Sequence, residues 1–470
     1  MKHFSSALKL LGTFLLLQLT GCASGPEYQK PDPFASGAPL PDQFKEYSTV
    51  MQPAGRNQHS LLKKWWKLYN DPILDDLLDQ LALANNDIAV AEAKYRQASS
   101  AQSQAQATLW PTVTGSSGIS RGVTSPGKSA GTEVNLGMTV SWEIDLWGRL
   151  RRTLEARTAT TLATAEDLQA THLSLQAQLV ANYISLRFLD TQTQLLNSTV
   201  GAYEKSLNLT KNQYASGMVS RADVAQAEVQ LQTTRAQLVD LGIQRSNLEH
   251  ALAVLVGKAP ADFNLPITSH HTLSLPPLPD VLPSEVLERR PDIKAAEYRV
   301  AAANAQIGIA VSAYFPNLIL DSNGGFRGPG LSDLLTVPNR VWSVGPALAA
   351  TLFDSGSRSA ATAEAKANYD QLVSSYRQTV LTALRETEDN LATLRILQQE
   401  IEEQRLAVQA SHISAALTFN QYQAGMVSYL NVAVTQAAQL NAERNMLSMQ
   451  GQYYAATINF IKAIGGGWDE

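Results

Sequence analysis

At 470 residues and a formal charge of −5, the chain is long enough for two or more ordinary domains and offers nucleic acid no bulk attraction. Its one cysteine, Cys22, excludes an internal disulfide. Aromatic residues are 7% of the chain while alanine, glutamine and leucine abound, which favours long helices over a β-sandwich. In chain order, residues 1–21 read as a secretion signal: Lys2 and Lys9 supply the positive end, Leu8 to Leu19 the apolar run, and Gly21 the small residue before cleavage. That run is too short to span a bilayer stably.

Leu19-Thr20-Gly21-Cys22 resembles the bacterial lipobox, in which the cysteine is lipidated and becomes the mature N-terminus. The plain alternative is an ordinary signal peptide with a chance cysteine. Ala23 follows the cysteine where aspartate would retain such lipoproteins at the inner membrane, so the resemblance implies a covalent lipid (palmitate) on Cys22 and sorting to the outer membrane. Residues 22–59 hold Pro26, Pro31, Pro33, Pro39, Pro41 and Pro53 and read as an extended strap.

Self-similarity then sets the architecture. A helical segment from Asp87-Ile88 to Leu109-Trp110-Pro111 aligns without a gap to Asp292-Ile293 through Tyr314-Phe315-Pro316, and in each copy the proline stops the helix. The copies span residues 60–258 and 284–466, separated by a proline-rich linker, 259–283, and followed by a short tail, 467–470. Each copy predicts a helix, a β-hairpin (112–146 and 317–353) and a long helical hairpin (148–257 and 357–464). In the first hairpin Val134, Leu136, Met138, Val140, Trp142 and Ile144 alternate with polar residues, a strict period of two. Its partner, Thr112 to Gly122, alternates more weakly. In the second, Leu318, Leu320 and Phe326 share one parity, and Trp342, Val344, Leu348 and Leu352 another.

Four strands with an apolar and a polar face cannot cross a membrane alone, because two edges would leave backbone groups unpaired in lipid. Three chains would supply twelve strands and a closed barrel. The strands by themselves suit a small soluble β-domain equally well; the anchor and the helices favour the barrel. No proline interrupts Arg149 to Lys258, or Leu348 to the C-terminus. A helix from Arg149 to Ser216 would measure about 100 Å and must pack beside others. Leu168, Leu175, Leu189, Leu196 and Tyr203 keep heptad register with Asn182 the one polar member, Leu179, Leu186, Val200 and Leu207 form a second track that Thr193 breaks, and Val380, Leu394, Ile401 and Val408 keep the same step. These are coiled-coil seams.

Each long helical hairpin turns on a near-identical stretch, Asn212 to Ser220 (NQYASGMVS) and Asn420 to Ser428 (NQYQAGMVS). Together with Trp65-Trp66, Asn70-Asp71-Pro72, the Asn86-Asp87 step and Ser141-Trp142-Glu143-Ile144-Asp145-Leu146-Trp147-Gly148-Arg149, these tips resemble the TolC/OprM-type outer-membrane efflux proteins, most closely the NodT-like lipoprotein branch. The resemblance covers nearly all of the mature chain. It implies a mainly α fold: a homotrimer with a twelve-stranded outer-membrane β-barrel and a long periplasmic α-helical tunnel. That trimer would be the exit duct of a tripartite pump, with a periplasmic adaptor and an inner-membrane partner of the RND, ABC or MFS kind.

Within that frame, Gly217, Met218, Val219 and Ser220 with Gly425, Met426, Val427 and Ser428 are the expected adaptor contacts; as bare turns they would simply be helix C-caps with left-handed glycines. The family closes near these tips. Asp223, Tyr422 and Asn212 match its constriction network, although Asp223 can equally cap the returning helix. Asn431 and Val434 stand where family members carry pore-facing aspartates, and Val427 where some carry a gate arginine. Leu430 is therefore expected to form a more apolar ring. No HExxH, P-loop or GxSxG is present, so nothing points to an enzyme or a cofactor. His172 and His412 lie apart in helices, and His270-His271 sits in the linker with no partner at metal-ligand spacing. A rival reading keeps anchor, strands and coiled coils but makes the chain an envelope spacer or stalk without conduction.

Overall fold

Helix–hairpin–long-helix order runs twice along the chain. The computed structural model describes residues 24–37, 39–46, 64–123, 130–267 and 282–467. The signal segment, Cys22, most of the later strap and His270-His271 lie outside the described residues. The first copy comprises α1 (Pro72–Ala84), α2 (Asn86–Ala107), β1 (Thr112–Gly122), β2 (Gly131–Ile144), α3 (Arg149–Ala215) and α4 (Arg221–Leu255). The second comprises α5 (Pro283–Arg289), α6 (Pro291–Ser312), β3 (Asn317–Gly328), β4 (Arg340–Ala349), α7 (Ser357–Gln423) and α8 (Tyr429–Ala463). The long helices match in length, 67 residues for α3 and α7 and 35 for α4 and α8. Among the described residues no helix is long and apolar enough to cross a membrane.

The chain divides into two units that cut across this repeat, each taking segments from both copies. The first unit (residues 1–37, 92–167 and 292–379) holds the sheet. Its strands pair antiparallel in the order β1-β2-β3-β4. Register is unbroken from Thr112 opposite Ser141 to Gly122 opposite Gly131, and equally regular across β2–β3 and β3–β4. Residues opposite one another share a face. One face therefore collects Val113 and Ile119, all six apolar residues of β2, Leu318, Leu320 and Phe326, and Trp342, Val344 and Leu348. The other carries Thr112, Thr114 and Ser116, Asn135, Thr139 and Ser141, Asp321, Asn323 and Arg327, and Ser343. Asn323 donates to the Ser343 hydroxyl at 2.8 Å on that polar side. Leu352, expected on the β4 parity, lies beyond the strand, because the chain turns into α7 through Ser355 and Gly356 at φ 53° and 90°.

The Ser141–Arg149 motif is the corner where β2 becomes α3. Gly148 takes φ 81°, and the Asp145 carboxylate accepts from the Arg151 N–H at 2.9 Å, satisfying an orphan amide of the first helical turn. Trp147 stacks on Phe315 at 4.7 Å and donates through its indole N–H to the Pro316 carbonyl at 2.8 Å. Trp142 donates to the Leu109 carbonyl, and Arg149 grips Glu143 through both carboxylate oxygens at 2.8 and 2.6 Å. The early strap is seated against this corner. The Ser24 N–H donates to the Trp147 carbonyl at 2.9 Å, and Arg152 donates to the Ser24 carbonyl and pairs with Glu27 at 2.7 Å. Gly25 lies so close to Gly308 that a Cβ on either would overlap backbone.

The second unit (residues 38–91, 168–291 and 380–470) is helical. Its core packs Trp65, Trp66 and the Leu74, Leu77, Leu78 and Leu81 face of α1 against Leu179, Tyr183 and Leu186 of α3, with Leu252, Ile458 and Ile461. Asp71 explains the Asn70-Asp71-Pro72 signature: its carboxylate accepts from the amides of Ile73 and Leu74, while Pro72 occupies the first helical position, where no N–H is needed. Its second oxygen accepts the Tyr183 hydroxyl at 2.5 Å. At the α1–α2 step it is Asn85, not Asn86, that caps: its side chain accepts from the amides of Asp87 and Ile88 and donates to the Leu255 carbonyl. The heptad positions Leu175, Leu196, Tyr203, Leu179, Leu186, Leu207, Val380 and Leu394 are all buried.

Candidate functional site

The two tips have the same geometry because they have the same sequence. Gly217 and Gly425 both sit at φ 73°. The amide of each following methionine reaches back five residues, Met218 to the Gln213 carbonyl and Met426 to the Gln421 carbonyl, both at 2.9 Å. Each glycine amide bonds three residues back, to Tyr214 and Tyr422 respectively. This is the glycine-terminated Schellman closure, and only glycine adopts that φ without strain. The glycines thus have a sufficient structural reason, and the flanking residues carry the rest of the argument.

Of the eight expected contact residues the glycines, methionines and serines are exposed, and the methionines hold out the large apolar side chains. Met218 is 69% and Met426 73% exposed. Val219 and Val427 turn inward and pack against a buried cluster of Tyr203, Leu207, Ala227, Leu231, Tyr422, Tyr429, Val432 and Ala433. In each tip the valine is half-buried: it anchors the turn to the cluster and still borders the groove. Between the tips lies an open groove of about 510 Å³, lined by Met218, Ser220 and Asp223 on one side and Gly425, Met426 and Ser428 on the other.

The constriction candidates separate into three groups. Tyr422 is buried, donates its hydroxyl to Thr210 Oγ1 at 3.0 Å, and meets Tyr429 edge-on at 5.5 Å. Tyr429 in turn donates to the Gln230 side chain at 3.2 Å. Burial raises both phenols above their ordinary value, so they remain neutral donors. Tyr422 therefore ties the two helical hairpins of one chain together from the floor of the groove between the tips. Asp223 is the third helical residue of α4 and completes a capping box: its carboxylate accepts from the Ser220 N–H at 3.0 Å and its own N–H donates to Ser220 Oγ. Asn212, Leu430, Asn431 and Val434 face solvent, with Leu430 at 57% and Val434 at 60% exposure, one helical turn apart on α8.

The second tip lacks that box. Ser428 makes no side-chain cap, and Asn431, at the position matching Asp223, only donates to Ser428 Oγ at 3.4 Å. Sequence reasoning missed Thr210, Gln230 and Tyr429, whose polar atoms satisfy the buried end of the cluster. Tyr429 had a signal, being an aromatic directly after the serine at the N-cap position of α8. Among the described residues no group of three or more His, Cys, Asp or Glu could hold a metal, and His412 is engaged by Glu443 at 2.8 Å.

Nearly the full length of the chain is similar to known proteins. The chain is 28% identical over 468 residues, 98% of itself and 99% of the relative, to the probable outer membrane lipoprotein SilC of Salmonella typhimurium. It is 29% identical over 462 residues, covering 96% of itself and 94% of the relative, to the toluene efflux pump outer membrane protein TtgC of Pseudomonas putida. The solved outer-membrane channel OprN superposes with a TM-score of 0.87 at 31% identity, covering 95% of this chain and all of that one. Residues 77–258 and 282–466, most of both sequence repeats, match the family model described as outer membrane efflux protein, and the chain belongs to that family.

Proposed function

We propose that three copies of this chain close their sheets into one twelve-stranded barrel and align their long helices into a periplasmic tunnel. As an outer-membrane efflux component the chain is not an enzyme, so its task is performed by geometry. The observation that carries the reading is the sheet: one face is predominantly apolar, the other predominantly polar, and both β1 and β4 are unpaired edges. Strands of 10 to 14 residues match the hydrocarbon thickness. Closure by neighbouring copies pairs both edges, turns the apolar face to lipid and the polar face to a water-filled lumen. A lipid on Cys22 holds the assembly in the outer membrane. Family membership favours this duct over a stalk that conducts nothing.

The substrates are small molecules, drugs or toxic compounds, delivered by an inner-membrane pump of the RND, ABC or MFS kind through a periplasmic adaptor. Met218 and Met426 with the groove between the tips form the docking surface, since flexible apolar side chains adapt to a partner's hairpin. Leu430 and Val434 narrow the tunnel, with Asn212 and Asn431 as its polar lining. Two measurements test this reading. The purified trimer in planar bilayers should conduct, and photocrosslinkers at Met218 or Met426 in cells should capture a periplasmic adaptor. A correctly inserted protein that never conducts and captures nothing would sink it.

A further inference from the structure

The polar face of the sheet carries few charges, and nearly all are neutralised. Near the strand ends that meet the helices, Glu143 is held by Arg149 at 2.6 Å and Asp145 by Arg151 at 3.3 Å. Toward the opposite ends, Arg327 pairs with Glu133 at 2.9 Å. Asp321, on β3, is the exception: it is exposed and, among the described residues, has no ion pair. Its cross-strand neighbours are Ser141 on β2 and Gly345 on β4. A Cβ on Gly345 would meet nothing, so the space beside the carboxylate is open. Along its own strand the next residues on the same face are Ile319 and Asn323, and the first cation, Arg327, is six residues or about 20 Å away.

We infer that Asp321 gives the duct its charge preference, favouring cations. The inference rests on the proposed closure of the sheet, which places the polar face in the lumen. Threefold repetition then sets three such carboxylates at one height, the arrangement by which rings of acidic side chains select cations in pores. The tips offer no rival carboxylate of this kind: Asn431 and Val434 are uncharged, and Asp223 is committed to its capping box. A twelve-stranded lumen is wide enough for mobile ions to screen the ring, with a Debye length of about 10 Å at 0.1 M salt and about 3 Å at 1 M. The preference is therefore graded and fades as salt rises.

The test is the reversal potential of the full-length trimer in a planar bilayer across a potassium chloride gradient. The unmodified protein should favour potassium over chloride at low salt and lose that preference at high salt. Asp321→Asn should lower the permeability ratio severalfold toward unity, and Asp321→Lys should invert it, with single-channel conductance at high salt retained in both. Leu430→Ala protein serves as the background if the native constriction is shut, so a current is available to measure. Conductance with the same ratio in all three proteins overturns the role of Asp321 while leaving the barrel standing. Absence of current from correctly inserted protein in both backgrounds overturns the barrel, and this inference with it.

Discussion

Two residues, Asp223 and Asn431, occupy the same place in the two tips and behave differently. Asp223 both receives and returns a backbone hydrogen bond with Ser220, whereas Asn431 leaves the start of α8 without a side-chain cap on its amides. Replacing a capping residue by alanine costs about 1 kcal/mol, roughly a fivefold change in the local opening equilibrium. Asp223→Ala should therefore speed amide hydrogen exchange in the first turn of α4 by about that factor. Asn431→Asp should slow exchange in the first turn of α8, and no change in either would show that the tips are held by packing alone. Leu430, one residue earlier in the same segment, tests the constriction. Leu430→Ala removes apolar bulk from the proposed ring and should raise single-channel conductance or passive drug entry with the trimer intact. Equal conductance would remove Leu430 from the gate. The residue scale was the least legible in the sequence. Glycine at both tips was readable from the helix pattern and Leu430 was singled out by resemblance alone, but Val219 and Val427 look identical on paper to side chains that face a partner. Only the placement of the tyrosine cluster beneath them turns the valines inward.

At the scale of elements, the cluster under the tips joins α3, α4, α7 and α8 through phenols. Tyr203, Tyr422 and Tyr429 all titrate above the ordinary value of 10.0, with burial as the leading cause. Because the folded values lie above the unfolded one, the unfolded chain gives up these protons first as pH rises. The stability they contribute is complete below pH 10 and is lost as pH climbs through the folded values. Alkaline titration followed by phenolate absorbance should show these tyrosines ionising late and together with helix loss; Tyr422→Phe should remove one phenolate from that late step. Independent ionisation near pH 10 without unfolding would show that the cluster is open to water. Elements were the most legible scale. Period-two alternation located β2, and the shared parity of Leu318, Leu320 and Phe326 located β3, because a pleated strand in a two-faced sheet has no other way to sort its side chains. The ends were less legible: Leu352 keeps the parity but falls in a corner dictated by positive φ at Ser355 and Gly356. The Trp65-Trp66 pair was recognised by likeness, and its physical reason, a plug under α1 and α3, needed the packing.

For the molecule as a whole, the duplicated sequence and the spatial units do not coincide, and that mismatch is what the fold achieves. Each copy sends its hairpin to the shared sheet and its long helices to the shared bundle, so neither copy can complete a unit alone. The repeat could be read from alignment of the Asp87 and Asp292 segments; the interleaving could not, because it depends on β2 pairing with β3 across the intervening helices. The seat of the strap was equally hidden, since Gly25 and Gly308 are far apart in sequence and unremarked by any motif. A Gly308→Val chain would place its Cβ 2.7 Å from the Ser24 carbonyl and against Arg152, expelling the strap. Limited proteolysis should then cut near residues 24–30 much faster than in the unaltered protein, and equal rates would show that the strap is held elsewhere.

That glycine contact also works as a leash of fixed length. Ser24 is bonded to the corner at Trp147, and Cys22 is only two residues earlier, a reach of about 7 Å even when fully extended. On the proposed lipidation of Cys22 and closure of the barrel, the acyl chains would enter the bilayer near the corner of Trp147 and Phe315. In that proposed assembly the tether would act as a depth gauge, limiting how far the sheet can sink into the membrane.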